Sequence, residues 1–126
     1  MIIEINTQCP LALYEQLRDQ VVLGIASMKL VSGESLPSVR ALAADLGINF
    51  HTVNKAYAML CDEGYIVMDR RKGAIIAPIT QGSEAFLTKI TQNLTLTAAE
   101  VICHNISKDA FIALCTKCYQ KAKGET

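Results

Sequence analysis

No run of apolar residues in this 126-residue chain comes near the roughly twenty that a membrane-spanning helix needs. The start, Met1-Ile2-Ile3-Glu4, lacks the basic residues and long apolar stretch of a secretory signal, so the expectation is a cytoplasmic protein without a membrane partner. Net charge is also missing: twelve Lys and Arg balance twelve Asp and Glu. That disfavours a nonspecific coat on nucleic acid, but it leaves local fields open. Histidine is scarce, with His51 and His104 in separate segments. There is no glycine-rich phosphate loop, no His-Glu metal motif and no nucleophile elbow, so no enzyme, catalytic residue or cofactor is indicated. The five cysteines, Cys9, Cys61, Cys103, Cys115 and Cys118, are odd in number and do not form a disulfide framework, which fits a reducing compartment. A hydrophobic content of 51% is enough for a core and too high for disorder, and the length allows one small domain with or without an appendage.

The most informative stretch runs from Ser38 to Gly64. Val39, Leu42, Ala43 and Leu46 recur at helical intervals and make one apolar stripe, with Ser38 placed to cap the helix and Pro37 just outside. Gly47 supplies the freedom to leave that helix sharply. Asn49 suits the cap of a second helix, in which Val53, Ala56, Tyr57 and Leu60 form an apolar face. His51, Asn54, Lys55 and Ala58 form the other face, which is polar with one small residue. The pattern predicts a helix-turn-helix whose second helix packs on a core by one face and offers the other to a major groove. Any amphipathic helix has a polar face, so spacing alone leaves a plain surface helix open.

At these residues the chain resembles the winged-helix domain of GntR-family bacterial transcription regulators. The likeness is carried by Leu36-Pro37-Ser38-Val39-Arg40-Ala41-Leu42-Ala43, then Leu46-Gly47, Thr52-Val53-Asn54-Lys55-Ala56-Tyr57, Leu60 and Glu63-Gly64, with Tyr14-Glu15-Gln16-Leu17-Arg18 upstream. It covers about residues 10 to 77. With about fifty residues beyond, the chain is most similar to the short YtrA-type branch. Two positions depart from the family pattern: Ala41 stands where an acidic residue is usual, and Arg71-Lys72-Gly73-Ala74 replaces the common Gly-x-Gly-Thr of the wing. The resemblance implies that Arg40, near the start of the first motif helix, grips a phosphate or a guanine edge. It also implies that Lys55 occupies a place where arginine is frequent.

Around this motif, Ile3 and Ile5 alternate with Glu4 and Asn6 as a short strand or extended arm ended by Pro10. From about Leu11 to Met28, Leu13, Leu17, Val21, Ile25 and Met28 fall on one helical stripe, and Glu15, Arg18 and Asp19 lie off it as a solvated face. Gly24 weakens this helix and permits close approach of a neighbour. Ser32-Gly33-Glu34 has turn composition, and Ser35-Leu36 is placed to pair with the wing as a minimal strand. Tyr65-Ile66-Val67-Met68 and Ala74-Ile75-Ile76-Ala77 are β-prone, and Asp69-Arg70-Arg71-Lys72-Gly73 between them makes a basic hairpin tip. Residues 1–77 carry seven Lys and Arg, of which three are consecutive at 70, 71 and 72, so positive charge is focused on that tip.

Pro78 marks a boundary. Ser83 caps a long helix to about Asn105, with a break conceivable near Thr95-Leu96-Thr97, and Ser107 caps another in which Phe111, Leu114, Cys115, Cys118 and Ala122 share a face. Two such helices cannot bury their stripes against so small a wing domain, which points to a second copy of the chain and a symmetric homodimer. Leu87, Ile90, Leu94, Val101, Phe111 and Leu114 are the expected dimerisation residues. The resemblance implies the same tail role, no large effector pocket, and, in many such regulators, repression of transporter genes. It does not identify an effector. Cys115-x-x-Cys118 with Cys103 and His104 offers an alternative, a metal- or thiol-responsive regulator, although Cys115 and Cys118 also suit an apolar stripe. A winged helix serving only as a protein-interaction module is the other alternative.

The expected fold is therefore mainly α with a small β-hairpin: a winged helix-turn-helix domain over 1–77 followed by a two-helix C-terminal dimerisation tail over 78–126. The expected partner is double-stranded DNA, read as an inverted repeat with half-sites about 10 bp apart. The expected contacts are Arg40, His51, Thr52, Asn54, Lys55, Arg70, Arg71, Lys72 and Gly73, with no metal site.

Overall fold

The computed structural model describes residues 3–8 and 11–125. In chain order it contains α1 (Leu13–Ala26), α2 (Val39–Leu46), α3 (Phe50–Asp62), β1 (Ile66–Asp69), β2 (Gly73–Ile76), α4 (Glu84–Cys103) and α5 (Lys108–Ala122). The fold is mainly helical with one antiparallel hairpin, a winged helix-turn-helix followed by two helices. The chain divides into two compact units, residues 1–79 and 80–126.

In the first unit α3 is the hub, packing on α1, α2 and β1. Leu17 and Val21 of α1 and Val53, Ala56 and Leu60 of α3 are all 0% exposed. Truncating a leucine so enclosed costs about 2–5 kcal/mol, because the cavity it leaves only partly collapses. Spacing predicts Met28 on the α1 stripe, but the helix ends at Ala26 and Met28 turns outward with φ 64°, in the left-handed region, and is 64% exposed. Leu30 takes its place in the core. The Leu30 amide returns to the Gly24 carbonyl at 3.0 Å, and its side chain lies where a Cβ on residue 24 would come within 2.8 Å of Leu30 Cδ1. Gly24 is thus the close-approach point its position suggests.

Residues 3–8 form an arm that is not a strand; Pro10 and Cys9 lie outside the described residues. The arm's backbone is satisfied by amide side chains of α1 instead of a sheet partner. Gln16 Oε1 accepts from the Asn6 amide at 3.0 Å, and its Nε2 donates to the Asn6 and Leu11 carbonyls, each at 2.9 Å. One turn on, Gln20 exchanges hydrogen bonds with the backbone of Glu4. Gln16 is buried and fully partnered.

Off the α1 stripe, Arg18 is half-buried and paired. It forks onto Glu63 beyond the end of α3, at 3.0 and 2.7 Å, contacts Asp19 at 3.0 Å, and lies 5.5 Å from the Tyr65 ring centroid. The Glu63 carboxylate, and then Asp19, hold the guanidinium pKa above its ordinary value against the opposing effect of burial. Periodicity separates surface from core along one helix; it does not show which surface residues meet a second helix.

The hairpin pairs Ile66 with Ile76, Met68 with Ala74 and Asp69 with Gly73. Ser35 bridges Ile75 as a minimal third strand, held by Gly33 N to Ile76 O at 2.8 Å, Ile76 N to Glu34 O at 2.9 Å and Leu36 N to Ala74 O at 2.8 Å. Ile66, Ala74 and Ile76 face the core.

In the second unit α4 runs unbroken through Thr95-Leu96-Thr97. The hydroxyls of Thr91, Thr95 and Thr97 each donate to the carbonyl four residues earlier, at 2.7 to 3.0 Å, sharing acceptors with the helix's own amides. Ser83 and Ser107 accept from the amides of Phe86 and Ala110, both at 3.1 Å, as helix caps.

Candidate nucleic-acid interface

The motif is built by local chemistry. Ser38 Oγ accepts from the Ala41 amide at 3.1 Å and starts α2. Gly47, at φ 67° and ψ 33°, ends it in the left-handed region that glycine occupies without a Cβ clash. Two residues later Asn49 Oδ1 accepts from the His51 amide at 2.8 Å and starts α3. The angle between the helices is fixed from behind. Tyr57 Oη donates to the Pro37 carbonyl at 2.7 Å, tying the middle of α3 to the entry of α2. Burial pushes the Tyr57 hydroxyl up to about 12.

With Val53, Ala56, Tyr57 and Leu60 sealed in the core, His51, Asn54, Lys55 and Ala58 are exposed on the opposite face of α3. Thr52 is half-buried beside them. Arg40, on the first turn of α2, is exposed and lies with its Cζ 5.1 Å from the Phe50 ring centroid. The Phe50 ring meets His51 edge to face, at 5.5 Å and 79°. Arg40 and His51 thus come together around a residue that the sequence pattern does not single out. Lys55 belongs to another pairing: its Nζ stands 3.9 Å from the Tyr14 ring centroid on α1. Helical spacing places residue 50 at the border between the two faces of α3, and Tyr14 lies in a different helix, so periodicity marks neither as a site residue.

Arg70, Arg71, Lys72 and Gly73 are all exposed at the hairpin tip. Asp69 organises them, its Oδ1 accepting from the amides of Arg71 at 2.8 Å and Lys72 at 2.9 Å. Those two amides, Lys72 first, hold the Asp69 carboxyl below its usual range. Gly73 has φ 74°, which lets the chain re-enter β2 directly after the three basic residues.

Among the expected dimerisation residues, Leu87, Ile90, Leu94 and Leu114 are exposed and Val101 and Phe111 half-buried. No residue of α4 or α5 is buried. Among the described residues no group of three or more His, Cys, Asp or Glu could hold a metal ion, so Cys103, His104, Cys115 and Cys118 are not assembled into a site. His104 Nδ1 instead lies 2.8 Å from the Glu100 carbonyl. No helix among the described residues is long and apolar enough to cross a membrane.

A capped helix pair with one polar outer face and a basic hairpin define the class: a winged helix-turn-helix protein. The model of the bacterial regulatory proteins of the gntR family matches residues 13–76, and the chain belongs to that family. Among solved structures it is similar to a transcriptional antiterminator of Listeria monocytogenes EGD-e, with 26% identity, a TM-score of 0.92, and coverage of 100% of this chain and 96% of that one. It is also similar to YtrA of Sulfolobus acidocaldarius, a GntR-family transcription factor, with 34% identity, a TM-score of 0.62, and coverage of 77% and 99%. The HTH-type transcriptional regulator YdcR of Escherichia coli K12 is 41% identical over 66 residues, 52% of this chain and 13% of that protein. The chain spans only 13 to 15% of the length of YdcR and of two further curated relatives it matches.

Proposed function

We propose that the protein is a cytoplasmic transcription regulator, a repressor, that binds an inverted-repeat operator in double-stranded DNA as a homodimer. The observation that carries this reading is the split of α3. Its apolar face is sealed by α1 and α2, and its polar face, from His51 through Asn54 and Lys55, is open to solvent. A helix held in this way enters a major groove with its N-terminal residues toward the base edges.

Arg40, His51, Thr52, Asn54 and Lys55 supply the contacts on the helix-turn-helix. Arg40 is suited to a guanine edge or a phosphate, and the Thr52 hydroxyl to a phosphate. Arg70, Arg71 and Lys72 neutralise backbone phosphates from the wing, and Gly73 keeps that tip close to the backbone. The homodimer is supported by the tail. Leu87, Ile90, Leu94 and Leu114 are exposed on helices with no buried residue, a cost that a second copy of the same surface would remove.

Selection of bound duplexes from a random-sequence pool by the full chain tests the reading, followed by sedimentation of the complex. The expected result is an enriched inverted repeat bound by two chains, with affinity falling steeply as salt rises. Failure to enrich any duplex at moderate salt would leave only a protein-interaction module.

A further inference from the structure

Phe50 is the one large apolar side chain on the first turn of α3, and it is 37% exposed. It does not belong to the buried core cluster. Two polar side chains flank it: the Arg40 guanidinium carbon lies 5.1 Å from the ring centroid, and His51 meets it edge to face at 5.5 Å. Asn49 caps the helix immediately before it, so residue 50 sits where a groove-reading helix first meets base edges. An aromatic ring held there by a cation on one side and an imidazole on another offers an apolar edge between two hydrogen-bonding groups. One base pair presents the matching chemistry in the major groove. Adenine-thymine carries the thymine 5-methyl, the only apolar group on that floor.

We propose that Phe50 is a specificity residue that reads the 5-methyl group of a thymine in each half-site, with Arg40, stacked on the same ring, directed to the neighbouring guanine or phosphate. This rests on the reading of α3 as a DNA-binding helix and adds a base preference to it. Arg40 then has a second role. Its stacking fixes the ring that makes the apolar contact, and the ring in turn restrains the guanidinium.

The test removes one methyl group at a time. In the duplex selected by the full chain, each thymine of a half-site is replaced singly by deoxyuridine, which keeps every hydrogen-bonding group and lacks only the methyl. The expected result is one thymine position at which the replacement weakens binding about fourfold, the weight of one methyl removed from water. Phe50→Ala should bind the thymine and deoxyuridine duplexes equally, and Phe50→Leu, which keeps an apolar side chain, should retain part of the difference. The dependence of the methyl effect on residue 50 isolates the contact from any general loss of affinity in the variant. If the wild-type chain discriminates at no thymine, or if Phe50→Ala still discriminates, the proposal is wrong even though DNA binding stands. If the wild-type chain selects no duplex, it is the DNA-binding reading that fails.

Discussion

Lys55 of α3 stands with its ammonium 3.9 Å from the centre of the Tyr14 ring on α1. A residue on the exposed face of the candidate reading helix is thereby tied to the helix packed beside it. A flexible lysine pays rotamer entropy when it is ordered on a ligand, and a ring that already restrains it reduces that loss. Tyr14→Leu should therefore weaken operator binding about two- to fivefold, the exposed-site worth of a cation–ring contact, while Tyr14→Phe, which keeps the ring, should change it little. Anisotropy titrations of the two variants check this. Equal affinities for both would show that the ring does not prepare Lys55 for DNA.

Arg40 and Lys72 should fail in different ways. Arg40→Ala is expected to cost about 1–3 kcal/mol on the selected operator and to relax preference at one position, if it meets a base edge. Lys72→Gln should lower affinity on all sequences alike and reduce the slope of log affinity against log salt by about 0.9. Salt titrations on specific and scrambled duplexes separate the two.

Gln16 holds the arm through three hydrogen bonds from a buried position. Gln16→Leu keeps the volume but removes the three hydrogen bonds and leaves the exposed Asn6 and Leu11 backbone to water. It should lower stability by about 0.5–1.5 kcal/mol, the net worth of a hydrogen bond whose groups turn to water. Urea unfolding measures the loss. Amide hydrogen exchange should show the Asn6 amide losing protection first, and an arm that stays equally protected would contradict the arrangement.

The wing tip carries its own pH dependence. The Asp69 carboxyl is held below its usual range because its ionised form accepts from the Lys72 and Arg71 amides. A carboxylate with a depressed pKa contributes its order above the unfolded value and loses it as pH falls through the folded one. The Arg71 and Lys72 amide resonances should accordingly stay constant through neutral pH and shift together only below the ordinary aspartate range, near 3.9. Asp69→Asn should show no such shift.

The tail offers a test of assembly. Ile90→Glu combined with Leu94→Glu places two charges on the exposed apolar surface of α4. Sedimentation should then find a monomer, with operator affinity reduced well beyond that of any single wing variant. Two chains per duplex at unchanged affinity would count against tail dimerisation.

Much of this molecule follows from local rules that act within one helix or turn. Ser38, Asn49, Ser83 and Ser107 cap the helices they precede, because a side-chain oxygen meets an amide two or three residues on. Gly47 breaks between α2 and α3 for a reason equally near in sequence. The split of α3 into a buried and an open face follows from the 3.6-residue period. What lay beyond local rules was decided by meetings across elements. Met28 gave way to Leu30 because α1 ends early and the chain folds back under Gly24. Arg18 acquired Glu63, Gln16 acquired the arm, Lys55 acquired Tyr14, and Phe50 came to stand between Arg40 and His51. A helical repeat specifies which way a side chain points from its own axis; which group waits there depends on how separate segments pack, and only the tertiary structure sets that.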